Sequence, residues 1–405
     1  MRTEAILHAV HNYTDIPETI STAIKSLFGV HNLEELSHVQ KQKLRNSYNE
    51  LFGKVGETDY HEQSKEYTLR YFPVNFFKIW TPLYDLLTKD QLQPDCTILE
   101  LGCGPGSSTM GFIEFYRILA CENPTMQFKL NFALVEREST FKDILKTIFE
   151  QYAVDFPCNL AVKINFFNED LDTFFERGCK SRFDYIIESN VLNPNEKICS
   201  SRLEQHCDSF CRFLNPHSSI ILIEPGREGL SDYLYRIKSN LTKNSLSIFS
   251  PCSCDNEVCK MLPLAKVKTG DISLISESRD INVFNEKKEK HYFEYVIIRN
   301  DSLRKHDSPI NNVPLCSLSS FVGKTVKFEA YILHSFDKGE CFDLKLCDGS
   351  LINCAVYMHI PKRMLTTEFI NLLSIGRGDY VRVKNAKVLS EREITCTLST
   401  MIDIM

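Results

Sequence analysis

The chain has 405 residues, 43% hydrophobic and 25% charged, with 47 lysines and arginines against 53 acids for a net charge of −6. That length supports two or three domains with a substantial core, and the composition excludes a disordered chain, a collagen and a histone-like polycation. The longest purely aliphatic run at a strand, Ile220-Ile221-Leu222-Ile223, falls far short of the ~18 residues a membrane helix needs, so no membrane partner is expected.

Residues 1–94 read as a helical N-terminal region. Ile20–Leu27, Asn32–Leu51 and Tyr60–Leu87 mix apolar and charged residues at three-to-four spacing. The opening Met1–His8 contains Glu4 and no secretory apolar core, and Asp15 and Glu18 follow, unlike a mitochondrial presequence. A cytoplasmic monomer is expected, in which most of the 16 cysteines are small core residues. In a reducing compartment a tight cysteine cluster points to metal before disulfide.

From residue 95 to 248 the texture changes. Short apolar runs at Thr97–Leu101, Phe128–Val135, Leu160–Phe167, Phe183–Glu188 and Ser219–Glu224 are separated by helix-length segments. That alternation predicts βαβ units, an α/β fold with a Rossmann-like parallel sheet. Residues 249–300 form a Cys-rich insertion followed by the last sheet strands, ending in Tyr292–Arg299. Residues 301–316 read as a linker. Over 317–405, five strand-like segments follow: Lys324–His334, Cys341–Cys347, Ile352–Met358, Tyr380–Leu389 and Ile394–Met401. A helix-like stretch, Thr366–Leu373, stands after the third, the order of an OB-fold β-barrel.

Three glycines fall in Ile98-Leu99-Glu100-Leu101-Gly102-Cys103-Gly104-Pro105-Gly106, between an apolar strand and a helical segment. Glycines at such a turn let backbone approach a ligand closely and adopt dihedrals closed to other residues. The spacing is neither a P-loop nor the dinucleotide G-x-G-x-x-G. With Glu100 ahead of it, the segment resembles motif I of class I S-adenosylmethionine-dependent methyltransferases. Glu100, Gly102, Cys103, Gly104 and Gly106 are then the candidates to hold the cofactor. Glu136, at the tip of the second strand, is placed to hold a ribose by its hydroxyls, and Asn168 and Glu169, at the third, border the adenine. Asn190, beyond the fourth strand, is the candidate for the acceptor side and the catalytic position. The loop Asn190-Val191-Leu192-Asn193-Pro194-Asn195 lacks the Pro-Pro-aromatic pattern of amino-methylating enzymes, which leaves the acceptor unassigned.

Cys252, Cys254 and Cys259 lie within eight residues, and thiolates select zinc or iron–sulfur, usually with four ligands. Cys347, ending the second barrel segment, is the candidate for the fourth.

Six segments together resemble the methyltransferase-like assembly-factor family of the mitochondrial small ribosomal subunit and its bacterial relatives. Tyr67-Thr68-Leu69-Arg70-Tyr71-Phe72-Pro73 is similar to that family's A-Y-x-x-x-R-x-P signature, and the Gly102–Gly106 and Asn190–Asn193 loops follow. Ile223-Glu224-Pro225-Gly226 is similar to its V-E-P-G-T-P segment. Pro251-Cys252 through Cys259, with Phe293–Arg299, is similar to its P-C-x-H-x-x-x-C and F-x-Y-x-x-x-x-R pair. The resemblance implies a [4Fe-4S] cluster in preference to zinc, and ribosomal RNA as partner. The sequence departs from the family in a longer gap between Cys252 and Cys259, in Cys254 at the family's His, and in the absence of cysteine from Lys260–Ile275.

On the barrel, Lys345, Phe342 and Tyr357 are candidate contacts for RNA, and Arg377, Arg382, Lys384 and Lys387 supply charge for a phosphate backbone. Residues 317–405 carry 11 lysines and arginines against 10 acids, so any track must be local. The expected function is S-adenosylmethionine-dependent methyl transfer to RNA. The rivals are a non-catalytic ribosome-assembly factor and a small-molecule methyltransferase whose barrel binds protein.

Overall fold

The computed structural model describes residues 1–11, 15–53, 60–191, 200–225, 232–251, 265–266, 272–281, 292–305, 312–351, 354–364 and 379–404. The chain divides into two compact units, Met1–Glu224 with Val267–His291, and Pro225–Lys266 with Tyr292–Met405.

The first unit opens with helices α1 (Glu4–His11), α2 (Glu18–Ser26), α3 (His38–Gly53), α4 (Tyr60–Phe76) and α5 (Trp80–Leu87). The single helical stretch expected over Tyr60–Leu87 is broken into α4 and α5, with a turn at 77–79. The alternation that follows is β1 (Asp95–Leu101), α6 (Ser107–Glu122), β2 (Phe128–Val135), α7 (Ser139–Tyr152), β3 (Leu160–Phe167), α8 (Leu171–Arg177), β4 (Phe183–Ser189), α9 (Ser200–Phe213) and β5 (Leu214–Pro225). The five strands pair in parallel in the order β3-β2-β1-β4-β5, as expected for a Rossmann-like sheet.

Local chemistry accounts for these elements. The inner strands β1, β2 and β4 are buried along most of their length, the pattern of parallel strands covered on both faces. Edge strand β3 alternates exposed and half-buried residues. On α7, Phe141, Ile144, Leu145, Ile148 and Tyr152 form one buried stripe, and Glu138 caps it by accepting from Thr140 N. Asp170 caps α8 the same way, through Thr173 N. Helix α6 is buried on nearly all sides because the α4–α5 corner covers the face turned away from the sheet. Gly111 makes that contact possible, since a Cβ there would lie 2.0 Å from Phe76 O, and Trp80 Nε1 donates to Gly111 O at 2.9 Å.

Strand order reverses between β1 and β4. Open parallel sheets bind ligands in the crevice outside the carboxyl ends at such a switch point.

In the second unit, α10 (Asp232–Lys243) precedes β6 (Ser247–Ser250), and β6 and the short β7 (Ala265–Lys266) both pair antiparallel with β8 (Tyr292–Arg299). The barrel strands are β9 (Thr325–Lys338), β10 (Cys341–Cys347), β11 (Val356–Pro361), β12 (Tyr380–Ser390), β13 (Glu393–Thr395) and β14 (Met401–Ile404). The ring β9-β10-β11-β13-β12 closes through the β12–β9 pair, giving a five-stranded OB-like barrel with β14 added beside β12. The last expected strand, Ile394–Met401, is thus two short ones separated by a turn. Val326, Phe328, Ala330, Ile332, Leu344, Leu346, Val356, Met358, Val381 and Val383 fill the barrel, and Leu315 and Leu318 of the 3₁₀ turn Leu315–Phe321 pack against them. The helix-like stretch Thr366–Leu373 lies outside the described residues.

Candidate functional site

The carboxyl edge of the first unit's sheet gathers most of the predicted residues. Gly102, Gly104 and Gly106 all have positive φ, +62°, +52° and +85°, so the turn from β1 into α6 follows a path that side chains resist. Two of these positions also lack room. A Cβ on Gly102 would lie 2.8 Å from Val191 Cγ1, and one on Gly106 would lie 2.2 Å from Leu145 Cδ1. Among the described residues, none beyond its chain neighbours would lie within 4 Å of a Cβ on Gly104, so that side of the turn is open to them.

Backbone hydrogen bonds tie the turn to the tip of β2. Gly102 N and Cys103 N donate to Val135 O at 2.8 and 3.2 Å. Gly104 N donates to Glu136 Oε2 at 2.9 Å, and Glu138 N donates to Glu136 Oε1 at 2.9 Å. Glu136 is half-buried, and burial raises its pKa above the usual carboxylate range against the pull of those two N–H groups. Glu100 is 2% exposed and its Oε2 accepts from Thr109 Oγ1, so it anchors β1 to the first turn of α6. Burial pushes its pKa up to about 8. Cys103 is buried, which holds its thiol protonated.

The third strand tip serves the same corner. Asn168 Nδ2 donates to Glu136 O and Arg137 O at 3.0 and 2.9 Å, and Glu169 pairs with Arg177 at 2.6 Å. These two side chains therefore have partners within the unit already.

At the fourth tip, Asn190 has φ +54° and donates its N–H to Ile223 O at 2.9 Å. Its Oδ1 accepts from Lys78 Nζ at 2.8 Å and its Nδ2 donates to Ser189 Oγ at 3.0 Å. Lys78 is 6% exposed and comes from the α4–α5 turn, more than a hundred residues away. Sequence reasoning passed over it. The available signal was a lone cation inside Phe76-Phe77-Lys78-Ile79-Trp80.

Beside it, Glu188 is 2% exposed with no hydrogen-bond partner among the described residues on either carboxylate oxygen, and burial raises its pKa to about 8. A carboxylate whose folded pKa lies above its unfolded value binds more protons in the native state. Stability is then full below about pH 4.5 and declines as pH rises toward about 8. Urea midpoints of Glu188→Gln should lose part of the wild-type decline between those limits, worth at least about 1 kcal/mol. Parallel pH profiles would show that Glu188 is already ionised when folded.

In the second unit, Cys252, Cys254 and Cys259 lie outside the described residues, as does Arg377. Cys347 is buried at the end of β10, where its Sγ accepts from Gly349 N at 3.4 Å. Among the described residues no group of three or more His, Cys, Asp or Glu could hold a metal. Arg382 and Lys384 do share a face of β12, but each is paired, with Glu329 at 2.6 Å and with Asp403 at 3.1 Å. Lys387 is exposed beyond the bulge between Val383 and Ala386. Phe342, expected to contact RNA, instead packs against the barrel core. No described helix is long and apolar enough to cross a membrane.

No family model matches the chain. It is 31% identical over 140 residues to a probable polyketide synthase of Dictyostelium discoideum, an alignment covering 34% of this chain and 5% of that protein. The chain thus spans about 5% of the length of the curated relative it matches. Solved structures similar to it include a S-adenosylmethionine-dependent methyltransferase from Clostridium acetobutylicum, at 12% identity and TM-score 0.35 over 61% of this chain and 100% of that one. An N-methyltransferase from Bradyrhizobium japonicum in complex with S-adenosylhomocysteine aligns at 11% identity and TM-score 0.34, over 63% and 99%. A T. thermophilus 16S rRNA methyltransferase aligns at 12% identity and TM-score 0.30, over 55% and 42%. At these scores the fold assignment rests on the chain's own strand order and register.

Proposed function

We propose that the first unit binds S-adenosylmethionine at the Gly102–Gly106 turn and transfers its methyl group to RNA, with small-subunit ribosomal RNA the first acceptor to try. The observation that carries this reading is the junction of two strand tips, where Gly104 N–H meets the Glu136 carboxylate beside open space.

The residues present fit the cofactor. Each Glu136 oxygen accepts one backbone N–H, which leaves lone-pair sites for the two hydroxyls of a ribose. The N-terminus of the 16-residue helix α6 opens at the turn and favours a carboxylate such as that of the methionine part. When bound, the cofactor supplies a sulfonium methyl group to a nucleophile aligned behind it. The chain's own task is alignment, which can carry most of such a reaction without a dedicated base. Lys78 orients the Asn190 side chain at the edge where the acceptor would lie.

The reading includes a cluster on Cys252, Cys254, Cys259 and Cys347, [4Fe-4S] by preference and zinc as the alternative. Iron, sulfide and zinc quantitation on anaerobically purified wild type and Cys347→Ser tests it, with metal lost in the variant as the expected result. A small-molecule acceptor is the second reading, favoured by the 31% identity to a probable polyketide synthase.

The deciding experiment incubates the full chain with methyl-labelled S-adenosylmethionine and purified ribosomal RNA. Label in the RNA with wild type, and none with Gly104→Val, is the expected result. Binding of S-adenosylhomocysteine without label in RNA would favour a non-catalytic assembly factor or a small-molecule acceptor. No binding at all would overturn the cofactor assignment.

A further inference from the structure

One face of the barrel is built differently from the charged strand β12. Phe342, Leu344 and Leu346 of β10 and Val356, Met358 and Ile360 of β11 face the core, so Cys341, Asp343, Lys345, Tyr357 and His359 point outward. The register sets these residues in rows across three strands. Lys345 lies between His334 and Tyr357, and Asp343 lies between Phe336 and His359. The His334 and Phe336 rings are stacked, with centroids 4.1 Å apart and planes 11° off parallel. Lys338 Nζ lies 5.9 Å from the Phe336 centroid and 6.0 Å from the Tyr357 centroid, so one ammonium stands between two aromatic sites.

The polar groups of this face narrow its ligand. Asp343 is 2% exposed and is already engaged by His359 Nδ1 at 2.8 Å and Lys338 Nζ at 3.0 Å. His359 Nε2 faces Glu393 at 3.9 Å, and Lys362 pairs with Asp337 at 2.6 Å. His334 Nδ1 is bonded to Ser335 O at 2.8 Å, which keeps the ring in place. Lys345 has no acidic partner among the described residues. A sugar would need hydroxyl acceptors beside the rings, and the central carboxylate here is buried and occupied. Flat rings flanked by ammonium groups suit nucleobases joined by a phosphate.

We infer that the outer face of β9-β10-β11 is a two-base stacking platform for single-stranded RNA. Phe336, backed by His334, takes one base, Tyr357 takes its neighbour, and Lys345, in the row between His334 and Tyr357, meets the phosphate between them. This rests on the RNA reading above and assigns it a place on the barrel that does not involve Arg382 or Lys384.

The test is fluorescence anisotropy of the full chain with a labelled single-stranded RNA of about ten nucleotides, within the site size of one OB-fold. Phe336→Ala and Tyr357→Ala should each weaken binding about 5- to 100-fold, the loss expected for one base stack. Lys345→Gln should reduce the slope of log affinity against log salt by about one unit. Phe336→Leu and Tyr357→Leu keep apolar volume while removing the ring, so weakening there rules out a folding defect as its source. Wild-type binding that survives all four aromatic replacements would overturn the platform and leave the RNA reading standing. Absence of wild-type binding to single-stranded RNA, or retention of a labelled oligosaccharide in its place, would overturn both.

Discussion

Gly111→Ala is expected to destabilise the chain by about 3 kcal/mol, although alanine is the better helix former by about 1 kcal/mol. The new Cβ would lie 2.0 Å from Phe76 O and 2.9 Å from Ile79 Cγ2. The nearer obstacle is backbone, which cannot rotate aside, so the α4–α5 corner must lift from α6. Lifting it also breaks the buried bond from Trp80 Nε1 to Gly111 O, a further loss of about 1 kcal/mol. Strain and lost hydrogen bond together outweigh the gain in propensity. Lys78 travels with that corner, so its contact to Asn190 Oδ1 at 2.8 Å should loosen as well. Urea denaturation of the variant against wild type measures the first effect. A higher midpoint for Gly111→Ala would mean that the corner does not sit on α6 as described.

For Glu136→Ala, affinity for S-adenosylhomocysteine should fall about 10- to 100-fold, the range for hydrogen bonds to a charged group. Two losses combine in that figure. The ribose hydroxyls of the proposed cofactor would lose their acceptor, and Gly104 N and Glu138 N, each at 2.9 Å, lose theirs, so the turn is held less firmly. Glu136→Gln keeps the shape and one acceptor oxygen, and should lose about tenfold. The pH dependence separates charge from shape. Because burial raises the Glu136 pKa, wild-type affinity should begin to fall at a higher pH on acidification than an ordinary glutamate would dictate. That decline should vanish in Glu136→Gln. Isothermal titration across pH reads both quantities, and equal affinity in all three proteins would remove Glu136 from the site.

Much of this molecule was legible as local pattern. The inner strand runs between Thr97 and Glu224 were visible because a strand covered on both faces is largely apolar, and such runs need no partner to be recognised, whereas the edge run Leu160–Phe167 showed only as an alternating one. The glycine turn was visible for a related reason. Positive φ at Gly102, Gly104 and Gly106 is a demand that the chain meets with a residue type, at a spacing that can be read directly. The barrel was legible in its strand order, but its third strand lies at Val356–Pro361, later than the expected Ile352–Met358, and the turn between Glu393–Thr395 and Met401–Ile404 splits the last expected strand in two.

Pairing across sequence distance was not legible. Nothing near Lys78 announces Asn190, and nothing near Gly111 announces Phe76 O, because each contact depends on how the α4–α5 corner lies on α6. The barrel face shows the same division. Period-two alternation told which residues share a side of a strand, but two sides are equivalent until something covers one. Packing of Leu344 and Leu346 into the barrel decided that Phe342 goes in. The register of β9 against β10 then brought Phe336 and His334 out beside Lys345. Likewise Arg382 and Lys384 were identifiable as one charged row, while the acids opposite them, Glu329 and Asp403, were set by strand pairing. The sequence by itself therefore determined the element types, their order and the glycine turn, all of which follow from backbone conformation and one-dimensional periodicity. Tertiary structure alone decided which charges are neutralised, which ring faces solvent and which cation reaches the sheet edge, because those depend on distances between segments that no local propensity encodes.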